Sequence, residues 1–492
     1  MTLIAGLDFG TSSVKLAVMD TDGSVVARGH APYDTLVGSA GEVEQRPEDW
    51  WHAAAEVLAT SGFAERIDAI GLTGQMQDLI PVAGSASLRP AMLYSDTRAG
   101  KQHARLSLAV TDWEQRTGNH QDVSNVVAKI AWLAEHEPAA LASAEHLLLS
   151  APAYIAWRAG GIPACDLVTA SATGLLDVQT NEWLRDAVAA AGADVERLPR
   201  LVGVVDGDEI VGAVNARTAS EWGVREGVPL VLGMGDAGST TDGLVGSEPG
   251  DAYLYLGTTG WLAAVTESAP GQPSPIHALV LPGWQTRLRI GAVQSAGSAA
   301  RWARDTFLPG LDFAQVESAV ADRVDVSDAR PLCLPGFAGE RTPVRDGAFR
   351  GAFVGVHDST GPIDLYLAVL TGVAMGLRHA ADEMGIRQQR IALVGGASSS
   401  PAWRRIIADV FEATIVTGEA EDPGCHSAVR SAMSALGHER TPAPLLAART
   451  STTQTHPSSA RAAYRPLLSA HRALYDVLTP TFHNLHRNSI ER

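Results

Sequence analysis

A chain of 492 residues is too long for one compact core, and at roughly 100–200 residues per domain it requires two large domains or more. With 46% hydrophobic and 19% charged residues it has ample material for buried sheets, which excludes a disordered chain. Lys and Arg number 38 against 55 Asp and Glu, a net charge of −17 with no long basic run; this argues against nucleic acid or an anionic membrane as partner, but not against a small anion held by local N–H groups.

Cys165, Cys333 and Cys425 are too scattered for a disulfide framework or a CxxC metal site, and read as free thiols in a reducing cytoplasm. The N-terminus has no basic n-region and Asp8 interrupts its apolar run, so no signal peptide is expected. No window approaches 18 uninterrupted apolar residues, so no transmembrane helix is expected either.

In chain order, residues 3–8, 14–20 and 24–31 predict a β-meander, with an Asp22-Gly23 hairpin turn between the second and third strands. Pro47-Glu48-Asp49 predicts a helix start, with Trp50, Ala54, Val57 and Leu58 on its apolar face. Residues 67–73 predict a buried strand, and helical and strand patterns then alternate to about residue 230, as in an α/β domain. A second meander is expected from about residue 229, with strands at 228–232, 251–256 and 261–266. Helix, strand and helix follow over about 362–415, the strand at 391–394. The tail from about residue 440 reads as a loop and then a helix near 460–478.

Four stretches could carry chemistry. Asp8-Phe9-Gly10-Thr11-Ser12-Ser13-Val14-Lys15 places glycine and hydroxyl residues in a turn between strands, where exposed N–H groups admit a phosphate. Asp8 could hold Mg²⁺ directly or through water, and Lys15 could supply a point charge; a plain hairpin is the alternative reading. Gly257-Thr258-Thr259-Gly260 repeats the strand–turn–strand setting in the second half, so the two turns together could grip a polyphosphate from both sides of a cleft. Gly233-Met234-Gly235-Asp236-Ala237-Gly238 formally matches the dinucleotide fingerprint, yet Asp236 would face the pyrophosphate and no clear helix of the required length is expected after it. An Asp projecting from a flexible glycine turn between two halves suits a catalytic base better. Gly395-Gly396-Ala397-Ser398-Ser399-Ser400 follows a strand and either admits a flat ligand or simply turns the chain into a helix at Pro401. No GxxxxGK[ST] occurs, which excludes a P-loop enzyme.

Taken together, these residues resemble the FGGY carbohydrate kinases. The likeness includes Val43-Glu44-Gln45-Arg46-Pro47, Gly74-Gln75-Met76-Gln77, Tyr94-Ser95-Asp96-Thr97-Arg98, Thr173-Gly174-Leu175-Leu176-Asp177 and the specific run Pro335-Gly336-Phe337-Ala338-Gly339-Glu340-Arg341-Thr342-Pro343. The resemblance implies an α/β two-domain actin/Hsp70/hexokinase-like ATPase fold, with ribonuclease H-like halves at 1–242 and 243–492 and a central cleft. It implies ATP and Mg²⁺ as cofactors, a small sugar as the other substrate and a cytoplasmic enzyme, and a homodimer is common among similar proteins. By the same resemblance Asp236 is the catalytic base, Asp8 is the metal-associated carboxylate, and Met76, Gln77 and Asp236 meet the sugar. Thr11, Ser12, Lys15, Thr258 and Thr259 would meet the phosphates, Gly297 and Arg301 the nucleotide, and Gly396 and Ser400 the adenosine.

Within the family the likeness runs to the xylulose kinases, which implies phosphorylation of D-xylulose at a primary hydroxyl. Those proteins usually carry Gln-Met-His-Gly where this chain has Gln75-Met76-Gln77-Asp78. Ribulose, gluconate, erythritol and glycerol therefore stay open as substrates, as does a non-catalytic sugar or nucleotide sensor. A second departure is Asp422-Pro423-Gly424-Cys425-His426, in place of an Ala/Gly-rich helix start.

Overall fold

A computed structural model of the chain describes residues 2–203, 208–267, 275–324, 330–419, 421–441, 445 and 452–490. The predicted meander forms as β1 (Leu3–Phe9), β2 (Ser13–Asp20) and β3 (Val25–Pro32), antiparallel in sequence. β4 (Ala69–Gly74) joins β1 in parallel, β6 (Pro229–Gly235) joins β4 in parallel, and β5 (Ile210–Ala213) closes the edge, giving the order β3-β2-β1-β4-β6-β5.

The second half repeats this plan. β7 (Ala252–Leu256), β8 (Gly260–Glu267) and β10 (Thr286–Val293) run antiparallel, β9 (His277–Val280) extends their edge, and β11 (Arg390–Val394) and β12 (Thr414–Thr417) add in parallel on the other side of β7. Both sheets therefore contain three antiparallel strands followed by two parallel ones on the far side of the first. This is the ribonuclease H-like arrangement duplicated, and the molecule has the actin/hexokinase-like ATPase fold.

Three expectations are corrected. The strand near 229 pairs with β4 and completes the first sheet, so the second meander starts at β7. A nine-residue helix, Asp236–Leu244, follows β6 without an intervening turn, so the glycine stretch is a strand-to-helix junction. The tail contributes β13 (Thr453–Thr455) to the second sheet and a helix over Arg461–Ile490, longer than expected; most of the loop before it lies outside the described residues.

Helix Pro47–Thr60 starts with Pro at its first position and acids in its first turn, and buries Trp50, Trp51, Ala54, Val57 and Leu58 against the first sheet. A further sheet of six mostly short strands, among them Met76–Ala83 and His146–Ser150, forms an accessory layer of the first half, with its own core around Leu79, Ile130, Leu147 and Leu149.

The two halves meet through helices Asp236–Leu244 and Pro423–Ala435. The latter belongs to the second half in sequence but packs on β1 and β4 of the first sheet. Glycines set the approach: a Cβ on Gly6 would stand 2.2 Å from the Cys425 carbonyl oxygen, one on Gly71 2.0 Å from that of Ala428, and one on Gly243 1.9 Å from that of Pro423. Real Cβ atoms do not come that close, so backbone meets backbone at all three. A buried ion pair, Arg430 to Asp242 at 3.1 Å with Ser427 donating to the same carboxylate at 2.8 Å, clamps the two helices together. Residues 242 and 243, where the sequence reading divides the chain, lie inside the first of these helices.

Gly71→Ala is expected to lower the midpoint of urea unfolding, at a cost of about 1–3 kcal/mol, because the helix must move to admit the methyl group. Gly100→Ala, where a Cβ meets nothing within 4 Å, should leave the midpoint unchanged or raise it.

Candidate active site

The first turn connects β1 to β2, with Asp8 opposite Lys15 across the pair and the Gly10 N–H closed onto Ser13 at 3.1 Å. Thr11 and Ser12 are exposed at its tip. Its shape is held from outside. The Tyr33 hydroxyl donates to the Gly10 carbonyl, and the buried Gln45 amide donates to the Thr11 carbonyl at 2.6 Å. Gln45 also accepts from the Trp50 indole and from Gln75, both at 2.9 Å, so one side chain ties the turn, the first helix and the Gln75-Met76-Gln77 stretch together.

The second turn connects β7 to β8 and is held in the same spirit by different residues. The Thr258 carbonyl accepts from the Ala296 N–H at 3.2 Å and from the Ser298 hydroxyl at 2.9 Å, which fixes the start of helix Gly297–Phe307 against it. Gly297 is required there, since a Cβ would stand 2.3 Å from the Gly257 carbonyl oxygen. Gly395, at φ 89°, also packs on backbone, since a Cβ there would stand 2.6 Å from the Leu256 carbonyl oxygen at the end of β7. The Thr258-Thr259 turn, Gly297 and Gly396 thus converge at one end of the second sheet. Arg301, one turn into the Gly297–Phe307 helix, is exposed.

Asp236 opens helix Asp236–Leu244 at the end of β6, and its side chain is open to solvent. Protein nevertheless surrounds it, so desolvation, reinforced by the charge of Asp8, pushes its carboxyl up to about 7. Asp8 is itself pushed up to about 6 by burial, with Lys15 opposing. The loop carrying Asp236 is fixed by Asp166, whose buried Oδ1 accepts the Gly235 N–H and the Thr169 N–H, each at 2.9 Å. Met76 packs against Gly235, where a Cβ would come within 2.9 Å of its sulfur. Gln77 beside it, together with Tyr94 and Asn119 from the first half and His277 and Arg341 from the second, lines a cleft of about 620 Å³. Asn119 closes the outer side by exchanging two 2.8 Å hydrogen bonds with the backbone of Ala278.

Comparison with known proteins accounts for this arrangement. Residues 3–243 match the N-terminal domain of the FGGY family of carbohydrate kinases, and residues 252–436 match its C-terminal domain. The chain belongs to the FGGY family. It is 32% identical over 491 residues to the xylulose kinase of Escherichia coli (strain K12), covering 96% of this chain and 99% of that one. It is 26% identical to the gluconokinase of Bacillus subtilis (strain 168), covering 88% and 87% of the two chains. The crystal structure of xylulose kinase from Rhodospirillum rubrum superposes with a TM-score of 0.86 at 27% identity, covering 98% of this chain and all of that one. The protein is therefore a sugar kinase of the FGGY family, whose members use ATP. No helix among the described residues is long and apolar enough to cross a membrane.

Two of the predicted residues have commitments that the sequence did not show. The Lys15 ammonium lies 3.1 Å from Asp422, at the start of helix Pro423–Ala435, so its charge is already paired across the two halves. The Ser400 hydroxyl donates to Glu317 and accepts the Trp403 N–H at 3.0 Å, capping helix Pro401–Phe411, so it has little capacity left for a ligand. Asp166 and Gln45 do not stand out in the sequence as site residues. Asp166 leaves a positional signal, as an acid within the apolar run from Ala164 to Val168, whereas Gln45 sits among polar neighbours and leaves none, although both are buried.

A carboxyl whose pKa is raised by folding binds more protons in the folded chain, so its contribution to stability falls as pH rises from its ordinary 3.8 toward about 7. Asp236→Asn is accordingly expected to raise the urea midpoint at pH 8, with the gain vanishing below about pH 4. Parallel unfolding curves at the two pH values check this.

Proposed function

We propose that the enzyme transfers the γ-phosphoryl group of ATP to a primary hydroxyl of D-xylulose, giving D-xylulose 5-phosphate and ADP. One observation supports this most directly: a solvent-open carboxylate of raised basicity, Asp236, opens a helix at the end of β6, within electrostatic reach of Asp8 on the first hairpin and next to Gly235, against which Met76 packs. The likeness to the xylulose kinases supports the choice of sugar. Gln77, where those proteins usually carry His, keeps both a donor and an acceptor for a sugar hydroxyl.

In this reading Asp236 accepts the hydroxyl proton as the new P–O bond forms and the bond to the β-phosphate breaks. Its raised pKa suits a base working near neutrality. Thr11, Ser12, Thr258 and Thr259 meet the phosphates from the two sides, residues 1–242 and 243–492 act as the two jaws, and Gly297, Arg301 and Gly396 line the nucleotide end. Charge spread over the transferring group makes positioning and electrostatics the main source of rate. Asp8 fits Mg²⁺, which is commonly held by one or two carboxylates plus substrate phosphates; the two neighbouring carboxyls repel each other and would both gain from a cation. Bound there, Mg²⁺ would neutralise phosphate charge. Lys15 then acts on the phosphates from its bridge to Asp422, which also holds the halves in register.

Asp236→Asn should retain ATP binding, read by calorimetry, and lose kcat by a factor on the order of 10²–10⁴. In the wild-type enzyme kcat/KM for the sugar should rise with pH up to about 7 and then level, since the base must be ionised. ADP release measured over xylulose, ribulose, gluconate, glycerol and erythritol should be greatest with xylulose. A preference for gluconate would overturn the substrate, and release without any sugar would overturn the reaction.

A further inference from the structure

Two fully buried, oppositely charged side chains lie directly behind the wall that carries Gln77. Lys129, on helix Val126–His136, and Asp78, next to Gln77 in the chain, are both 0% exposed. The Lys129 ammonium donates to the Gln77 carbonyl at 2.7 Å and to the Leu93 carbonyl at 2.6 Å. The Asp78 carboxylate faces the N–H groups of Tyr94 and Ala151, without closing a normal hydrogen bond to either. The peptide joining Leu93 to Tyr94 therefore has the ammonium on its carbonyl and the carboxylate on its N–H.

The gripped backbone is the part that presents the cleft. Gln77 and Tyr94 both line the 620 Å³ cleft, and the Tyr94 hydroxyl reaches Thr11 of the first phosphate turn at 3.3 Å. Gln77 holds φ 64°, a left-handed conformation that a residue with a Cβ adopts only when its surroundings enforce it. Burial pulls Lys129 down and pushes Asp78 up, so each disfavours its own charge and depends on the other. A buried pair of this kind seldom adds net stability, and apolar replacement of both partners is often neutral or stabilising. Stability of the fold alone gives little reason to keep it.

We propose that Lys129 and Asp78 are a positioning pair that sets the sugar specificity of the cleft, by fixing the Gln77 and Tyr94 backbones from behind. Neither touches the substrate; both act through Gln77 and Tyr94. The proposal rests on the reading above that Gln77 meets the sugar. Asp78 stands where the Gln-Met-His-Gly pattern usual in xylulose kinases has Gly, so the pair departs from that pattern.

The test is the double variant Lys129→Met/Asp78→Leu, which removes both charges at nearly constant volume, with Gln77→Ala in parallel. The double variant should unfold at the wild-type urea concentration or higher. Its KM for the sugar should rise about tenfold or more, as displaced binding groups produce, while its KM for ATP stays within about twofold. A folded double variant with the wild-type sugar KM would overturn the proposal. So would loss of folding, because the pair would then serve the fold. An unmoved sugar KM in Gln77→Ala would overturn the sugar-site reading and this proposal with it. A raised KM in Gln77→Ala beside an unmoved one in the double variant would overturn the pair alone.

Discussion

The close approach of helix Pro423–Ala435 to the first sheet is the constraint on which the rest of the molecule depends. Three glycines, Gly6, Gly71 and Gly243, let its backbone lie against backbone, and the Arg430–Asp242 pair fixes its partner helix to it. That contact brings the second half of the chain to β1 and β6, where Asp8 and Asp236 stand. It also brings Asp422 to Lys15 at 3.1 Å, so the joint and the β1–β2 hairpin share a charge pair. Gly424 belongs to the same joint, since a Cβ there would stand 2.2 Å from a carboxylate oxygen of Asp8. A larger residue at any of these glycines would move the helix and the cleft together.

The chemistry of the cleft is arranged at an electrostatic cost. Asp8, Asp236 and Asp78 are all pushed above the ordinary carboxylate range, by burial first and then, in part, by one another. Such carboxyls weaken the free protein at neutral pH and favour whatever brings positive charge or supplies a proton. In the proposed reaction both are useful, because a bound cation would relieve the repulsion and a base working near neutrality needs a pKa such as the one Asp236 has.

Much of the candidate site was legible in the chain. Asp236, the Thr11-Ser12 turn and the Thr258-Thr259 turn were singled out by residue type and setting, and the structure places all three at the same end of their sheets. Gln77 was marked by its departure from the usual pattern, and it does line the cleft. The strand-to-helix junction at Asp236 was misread as a flexible turn, because Gly233, Gly235 and Gly238 are glycines of close packing rather than of chain reversal; none has a positive φ. Tyr94 fell within a recognised stretch, but its contact with Thr11 spans 83 positions and leaves no local pattern.

By itself the sequence determined the α/β elements and the paired hydroxyl turns and marked Asp236 as the candidate base; the elements and turns follow from hydrophobic periodicity and turn chemistry, which act over a few neighbouring residues, and the two-domain fold followed from the family resemblance. Only the tertiary structure decided which side chains were already committed. Lys15 is paired with Asp422, Ser400 serves a helix cap, and Lys129 grips Gln77 from 52 positions away. Such commitments arise where buried polar groups must find partners once the surrounding apolar surfaces have closed, and no local pattern records which partner lies within reach.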